Sequence, residues 1–126
     1  MEITDKKILI IDDDEDFLSI LDMKFKKEGF STVIAKDGEE GISMAKSEKP
    51  DVILLDMALP KKSGLEVLEE LKSDEISKNI PVIILSNFSE DENIQKATSL
   101  GATDYFIKAD NSISEISEKV KKIVSK

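Results

Sequence analysis

The amino-acid sequence predicts an α/β fold in which five β-strands and five α-helices alternate, (βα)₅, around a doubly wound, five-stranded parallel sheet. Five short apolar runs are rich in β-branched or aromatic residues, as strands buried on both faces are. Helical patterns lie between these runs, and strands that alternate with helices pair in parallel through right-handed crossovers. No internal repeat or Pro/Gly-rich linker interrupts the alternation. We therefore expect a single domain over residues 1–126.

The predicted strands are the apolar runs themselves. The first run is followed by a series of acidic residues, and Pro81 stands at the start of the fourth run. The runs cover residues 7–11, 31–35, 52–55, 80–85 and 103–107.

The predicted helices follow from apolar residues at helical spacing. Gly29, Gly38, Gly64 and Gly101 are interpreted as turns and helix stops that carry no chemistry. The apolar positions are Phe17, Leu18, Leu21 and Phe25 in the first helix, Ile42 and Ala45 in the second, Leu65, Leu68 and Leu71 in the third, Ile94, Ala97 and Leu100 in the fourth, and Ile113, Ile116, Val120 and Ile123 in the fifth.

Composition excludes several classes of function. The net charge is −9 and the 18 basic residues include no arginine, which argues against direct nucleic-acid binding. The absence of histidine and cysteine excludes a His base, a His metal ligand, a phosphohistidine and any disulfide within this sequence, so a phosphoryl donor must be another molecule. No apolar run approaches the roughly 20 residues that cross a bilayer, and the N-terminus lacks a signal peptide. We expect a cytoplasmic protein without membrane contact.

Polar side chains follow four of the predicted strands. The first strand ends at Asp12 and Asp13, the third at Asp56, the fourth at Ser86 and the fifth at Lys108. Open α/β sheets bind ligands beyond the carboxyl ends of their strands, where the strand order reverses. In the flavodoxin-like order 2-1-3-4-5, strands one and three flank that point, so the three carboxylates are expected to meet there.

These side chains have the chemistry that phosphoryl transfer needs. Crowded carboxylates require a cation to stay ionised, and hard oxygen ligands favour Mg²⁺. Asp56 can serve as a covalent nucleophile, Lys108 can supply positive charge to the phosphoryl oxygens, and Ser86 can donate a hydrogen bond. The pattern predicts a phosphoacceptor site.

Four segments of the chain resemble the receiver domain of bacterial response regulators. They are ILIIDDDED, PDVILLDMALPKKSGLEVLEEL, PVIILSN and LGATDYFIK, and together the resemblance covers essentially the whole chain. It implies that Asp56 accepts a phosphoryl group from a histidine kinase or a His-phosphotransfer protein. Apart from this self-catalysed transfer and slow autodephosphorylation, no enzyme activity is expected.

The resemblance also implies a set of metal ligands. Asp13 and Asp56 would bind Mg²⁺ directly, with Mn²⁺ as an alternative ion, and Asp12 would act through a water molecule. The backbone carbonyl of Ala58 would be a further ligand.

A two-state switch is the third implication of the resemblance. Ser86 and Lys108 would close on the phosphoryl group, and Tyr105 would change rotamer to fill the space that Ser86 leaves. The output partner would bind the face made by the fourth helix, fifth strand and fifth helix, within residues 94–120. A monomer or a weak phosphorylation-dependent dimer is expected.

The sequence departs from the family pattern at two positions. Ala109 stands where the family usually has Pro, often after a cis bond; a cis bond before Ala costs about 2.5–4 kcal/mol, so a trans Lys108–Ala109 bond is expected. Asn87 stands where a small residue is usual and is expected to narrow access for the donor. The resemblance implies that Ala58 and Phe88 flank the approach of water to the phosphoryl group. Neither can orient a water, and Phe88 is large enough to shield the approach, which predicts a long-lived phosphoprotein. The alternative is that Phe88 faces solvent and Asn87 orients water, giving fast hydrolysis.

Other interpretations of the same residues remain. Taken alone, the acidic run from Asp12 to Asp16 is more typical of a solvated helix N-terminus. A calcium-binding EF-hand loop would need Gly in place of Phe17 and Glu in place of Met23. A phosphatase of the haloacid dehalogenase type would need a second Asp in the position that Ala58 occupies. A flavodoxin would need a hydroxyl- and glycine-rich phosphate loop in place of the acidic run after the first strand. The main alternative is a receiver-like fold that binds proteins without being phosphorylated.

Overall fold

The computed structural model describes residues 6–87, 91–109 and 111–125, and within them strands and helices alternate as expected. The strands are β1 (Lys7–Ile11), β2 (Ser31–Ala35), β3 (Val52–Asp56), β4 (Val82–Ser86) and β5 (Asp104–Ile107). The helices are α1 (Glu15–Lys27), α2 (Gly38–Glu48), α3 (Gly64–Ser73), α4 (Asp91–Ser99) and α5 (Ile113–Val124). Across the described ranges, none of the helices has the length and apolar character that a bilayer span requires.

The five strands form one parallel sheet in the order β2-β1-β3-β4-β5, which confirms the predicted fold class and strand order. Ile11 pairs with Ala35 on one side and with Leu55 on the other. Asp56 pairs with Leu85, and the register continues to the end of β5. Because all five strands run in the same direction, their carboxyl ends lie along one edge of the sheet.

The core consists of two apolar layers, one on each face of the sheet. Ile8 and Ile10 of β1 are fully buried in the layer that contains the apolar residues of α1 and α5. Leu9 and Ile11, which point to the other face, are fully buried with α2, α3 and Ala97 of α4. This alternation explains why the strand reads as a continuous apolar run.

The strand limits differ from the prediction by one or two residues. β3 extends to Asp56, one residue beyond the predicted end, because Asp56 still pairs with β4. β4 begins at Val82 rather than at residue 80, since Pro81 has no N–H to donate to a neighbouring strand. β4 also includes Ser86, and β5 begins at Asp104 rather than at residue 103.

Side chains and glycines set the limits of several helices. Asp14, Asp37, Ser63 and Ser112 cap the N-termini of α1, α2, α3 and α5 by accepting backbone N–H groups. After α1 and α4, Gly29 and Gly101 have φ values of 97° and 105°, as the helix-stop interpretation predicts. For Gly38 and Gly64 that interpretation is wrong, because they are the first residues of α2 and α3 and are buried.

Candidate functional site

Asp12 follows β1 directly and is held by three hydrogen bonds. Its backbone N–H donates to the Ala35 carbonyl oxygen at 3.0 Å, which continues the pairing with β2. Its side chain is only 1% exposed. Oδ1 accepts a hydrogen bond from the backbone N–H of Asp14 at 3.0 Å, and Oδ2 accepts one from Nζ of Lys108 at 2.8 Å. The carboxylate is therefore fixed in a buried position before any ligand binds.

The three predicted carboxylates meet at the edge of the sheet. Asp12 and Asp56 are buried and Asp13 is exposed, and each offers an oxygen atom within 4.8 Å of the other two. Asp12 and Asp13 follow β1, and Asp56 ends β3, the strand next to it in the sheet. The side chains thus lie together for the reason the sequence suggested, namely that neighbouring parallel strands end at one edge.

The surroundings of Asp56 raise the pKa of its carboxyl group. Burial is the main cause that raises its pKa, the negative charge of Asp12 raises it further, and Lys108 partly offsets both, so that the pKa lies at about 6 rather than 3.8. Lys108 Nζ lies 3.5 Å from Asp56 Oδ1. Above pH 6 the group is mostly ionised, but its charge is poorly compensated.

Lys108 follows β5 and brings the positive charge of the site. Its backbone N–H donates to the Ser86 carbonyl oxygen at 2.7 Å, which anchors the end of β5 beside β4. Burial alone would lower the pKa of the ammonium group, but the hydrogen bond to Asp12 and the charge of Asp56 outweigh burial, and the pKa is raised. The lysine therefore stays charged, with its side chain only 10% exposed.

Ser86 and Tyr105 are placed by the register of the sheet. Ser86 is the last residue of β4, is fully buried and pairs with Ile107. Tyr105 pairs with Ile84 and packs, half-buried, against the core layer formed with α2 and α3. Ser86 thus lies on β4, next to β3, which carries Asp56, and Tyr105 lies on β5, the strand that Lys108 follows.

The positions predicted to control access to the site are partly described. Ala58 and Asn87 are exposed, in the segments that follow β3 and β4. Phe88 lies outside the described residues, so the shielding expected of it stays a prediction. The bond between Lys108 and Ala109 is trans, as expected, since the described part of the chain contains no cis peptide bond.

Two residues at the site were not identified from the sequence. Gly64 donates its N–H to the Met57 carbonyl oxygen at 2.8 Å, and a Cβ atom on it would lie 2.4 Å from the carbonyl oxygen of Asp56. Only glycine fits at that distance, so α3 begins against the backbone of Asp56. The available signal was a glycine after Ser63, a good N-cap, a few residues beyond an acidic strand end.

Phe17 is the second residue that was missed. Its ring centroid lies 4.4 Å from Lys108 Nζ, a cation–π distance. It was assigned only to the apolar face of the first helix, and spacing along one helix carries no information about a lysine at the end of β5.

The carboxylate cluster has the composition of a divalent-metal site. Hard oxygen donors from Asp12, Asp13 and Asp56 suit Mg²⁺, which usually takes one or two carboxylates and keeps several waters. Three carboxylates face the single ammonium of Lys108, so a divalent cation would balance the remaining negative charge. The residues present therefore fit the ion that the sequence predicted.

Comparison with known proteins identifies the same family that the sequence resembles. The family model of the response regulator receiver domain matches residues 8–121, a range that includes Asp12, Asp56 and Lys108. The chain is similar to sporulation initiation phosphotransferase F of Bacillus subtilis (strain 168), with 39% identity over 117 residues, 93% of this chain and 92% of that protein.

Two further similarities concern a longer protein and a solved structure. The chain is 36% identical over 119 residues to the alkaline phosphatase synthesis transcriptional regulatory protein PhoP of the same organism, where it covers 94% of this chain but only 48% of PhoP. The chain thus spans about half the length of that relative. The solved receiver domain of the Francisella response regulator 1452 has a TM-score of 0.89 and 32% identity, covering 96% of this chain and 98% of that one.

Proposed function

The chain belongs to the response regulator receiver family, the signalling modules of two-component systems, and from this premise we propose that Asp56 accepts a phosphoryl group in a Mg²⁺-dependent reaction. One observation carries the proposal. The Asp56 carboxylate ends β3 within 4.8 Å of the oxygen atoms of two other aspartates, with a lysine ammonium 3.5 Å away. This arrangement supports the proposal, because a carboxylate able to act as a nucleophile, oxygen atoms suited to a metal ion and a positive charge lie close together.

The transfer is a displacement at phosphorus. An ionised oxygen of Asp56 forms the new P–O bond while the bond from phosphorus to the donor breaks, and the donor departs with that electron pair. Because the pKa of Asp56 is about 6, this carboxyl group is ionised in most of the molecules at neutral pH. The raised pKa also reflects a carboxylate that is poorly solvated, which favours its attack on phosphorus.

Lys108 stabilises the charge that gathers on the phosphoryl oxygens during the transfer. Its ammonium is held beside both Asp12 and Asp56 before the donor arrives. The positive charge therefore needs little reorganisation when the phosphoryl group passes to Asp56.

Asp12, Asp13 and Asp56 would hold the Mg²⁺, with the Ala58 carbonyl as a further ligand. When bound, the ion supplies positive charge to the oxygens of the transferring group and relieves the repulsion among the carboxylates. Asp13 is the exposed member of the cluster, so an ion could reach it from solvent.

The phosphorylated domain then presents a changed surface to its output partner. Phosphorylation of Asp56 adds about −1.5 to −2 charges at the edge of the sheet, and Ser86 and Lys108 close on them. Tyr105, half-buried on β5, fills the space beside Ser86, and the face formed by α4, β5 and α5 is altered. Membership of the receiver family favours a histidine kinase or a His-phosphotransfer protein as the donor, and because this chain contains no histidine, the phosphohistidine would lie on that other molecule.

The phosphorylated state is long-lived in this proposal. Ala58 is exposed next to the acceptor strand and has no polar side-chain atom to orient an attacking water. Asn87 is exposed after β4 and is the side chain that would speed hydrolysis if it reached a water in line with phosphorus. Decay of the purified phosphoprotein in Asn87→Ala and Ala58→Asn variants distinguishes the two roles.

Incubation with acetyl phosphate and Mg²⁺ tests the proposal. The intact mass should increase by one phosphoryl group, and the increase should be absent with EDTA or in Asp56→Asn. Asp51→Asn, which removes an exposed carboxylate at the opposite edge of the sheet, is the matched control and should still be modified. An Asp56→Asn protein that takes up phosphate as well as the wild type would refute the assignment of Asp56. A wild type that takes up no phosphate would favour a receiver-like module that binds proteins without being phosphorylated.

A further inference from the structure

The ammonium of Lys108 has an aromatic neighbour in addition to its carboxylates. Nζ lies 4.4 Å from the ring centroid of Phe17, well inside the roughly 6 Å limit for a cation–π interaction. Phe17 lies in the first turn of α1 and is half-buried, and Lys108 lies beyond β5, which is separated from β1 by two strands of the sheet. The contact therefore joins two elements that are distant in sequence.

Phe17 is held in place by the same acidic segment that forms the site. Its backbone N–H donates to Oδ1 of Asp14 at 3.3 Å, and the backbone N–H of Asp14 donates to Oδ1 of Asp12 at 3.0 Å. Asp12 in turn accepts Nζ of Lys108 at 2.8 Å. The contacts form a closed circuit through Asp12, Asp14, Phe17 and Lys108, so the backbone of Phe17 is held near the carboxylate that binds the same ammonium.

A lysine at this position needs a partner that does not depend on the charge of the carboxylates. Lysine has a long, flexible stem, and its ammonium is drawn to whichever anion is nearest. When a cation neutralises Asp12 and Asp56, their attraction for Lys108 weakens. The attraction of the Phe17 ring arises from its quadrupole and stays the same.

We propose that Phe17 is a positioning residue that keeps the Lys108 ammonium at the site through its ring face, so that the lysine is ready for the phosphoryl oxygens in the cation-loaded state. The inference rests on the proposed function of Asp56 and adds a residue to it. An aliphatic side chain of similar size would fill the same space without attracting the ammonium.

Substitutions that separate ring chemistry from volume test this role. Phe17→Leu keeps an apolar side chain and should slow phosphorylation by acetyl phosphate about fivefold. Phe17→Tyr keeps a ring face and should retain the wild-type rate. Replacing Phe17 with 3,4,5-trifluorophenylalanine keeps the shape but withdraws density from the ring face, and should slow the reaction like leucine. Phe30→Leu is the control, because Phe30 is buried in the same core layer as Phe17 and stacks edge-on against Phe25 instead.

A spectroscopic measurement on the unphosphorylated protein tests the contact itself. The ring current of Phe17 should shift the Lys108 ε-methylene proton signals upfield, with and without Mg²⁺, and Phe17→Leu should abolish the shift. A wild-type protein that is phosphorylated at the same rate as the leucine and trifluoro variants would overturn the positioning role while leaving the proposed function intact. Absence of the upfield shift in the wild type would overturn the contact. A wild type that takes up no phosphate would overturn the proposed function, and the positioning role with it.

Discussion

The two edges of the sheet each carry a lysine–carboxylate pair, and the pairs differ in burial. At the amino edge, Lys7 at the start of β1 lies 3.0 Å from Glu48, and the two side chains are 35% and 39% exposed. At the carboxyl edge, Lys108 lies 2.8 Å from Asp12, and the side chains are 10% and 1% exposed. The distances are nearly equal, so what separates the two pairs is access to water and the number of neighbouring charges.

At the amino edge, water screens both charges, and such a pair contributes about 0.2–1 kcal/mol to stability. At the carboxyl edge, Asp12 and Asp56 are buried beside one ammonium, and the pKa of Asp56 is raised to about 6 by burial and by Asp12. The carboxyl edge therefore carries an electrostatic cost that a cation can relieve. A lysine–carboxylate pair is thus a solvent-exposed ion pair at the amino edge and part of the proposed metal and phosphoryl site at the carboxyl edge.

The largest expected effect is that of removing the buried ammonium. Lys108→Met leaves two buried carboxylates without their partner and should lower the free energy of unfolding by about 3 kcal/mol at pH 7.5 without Mg²⁺. Lys7→Met at the amino edge should lower it by less than about 1 kcal/mol. Urea unfolding of both variants measures the difference, and equal losses would show that the two edges do not differ in the way described.

Binding of Mg²⁺ should stabilise the carboxyl edge specifically. An ion that binds only the native state adds about 2.7 kcal/mol at 100 times its dissociation constant. Asp13→Ala should abolish this gain, whereas Asp51→Ala at the amino edge should leave it unchanged. Thermal unfolding with and without Mg²⁺ measures both, and a gain that persists in Asp13→Ala would contradict the ligand assignment.

A smaller effect is expected in the pH dependence of stability without metal. The pKa of Asp56 is about 6 in the folded state against 3.8 as its ordinary value, so between these two pH values the folded state holds a proton that the unfolded state has lost. Stability contributed by this group is thus fully present below pH 4 and falls as the pH rises to 6. Asp56→Asn does not titrate and should gain about 2 kcal/mol over the wild type above pH 6, with little difference below pH 4.

Urea unfolding in EDTA from pH 3.5 to 7.5 checks this dependence. The direction of the pH dependence is informative. If Asp56 instead formed a favourable ion pair, the wild type would be more stable than Asp56→Asn at neutral pH. Asp51→Asn serves again as the exposed control, with a change of less than about 1 kcal/mol.

Much of the fold was predictable because the sheet is buried on both faces. Its strands had to be apolar runs such as that of β1, and parallel strands had to end at one edge, which brought Asp12, Asp13 and Asp56 together. The strand limits were not fixed in the same way, because they depend on pairing with a neighbour. Asp56 belongs to β3 only because it still pairs with Leu85.

The parts of the site that could not be predicted are long-range contacts. The sequence gives no sign that Phe17 faces Lys108, because the contact depends on how the start of α1 lies relative to the segment that follows β5. Gly64 was interpreted as a simple turn, since its close approach to the Asp56 carbonyl is visible only when the path of the segment after β3 is known.

The identity of the phosphorylated residue tests the central claim most directly. After reaction with acetyl phosphate and Mg²⁺, sodium borohydride reduces an aspartyl phosphate to homoserine, and mass spectrometry of the peptides locates it. The account predicts homoserine at position 56 alone, in a Mg²⁺-dependent yield. Homoserine at Asp12 or Asp13 instead, or an equal yield in EDTA, would contradict it.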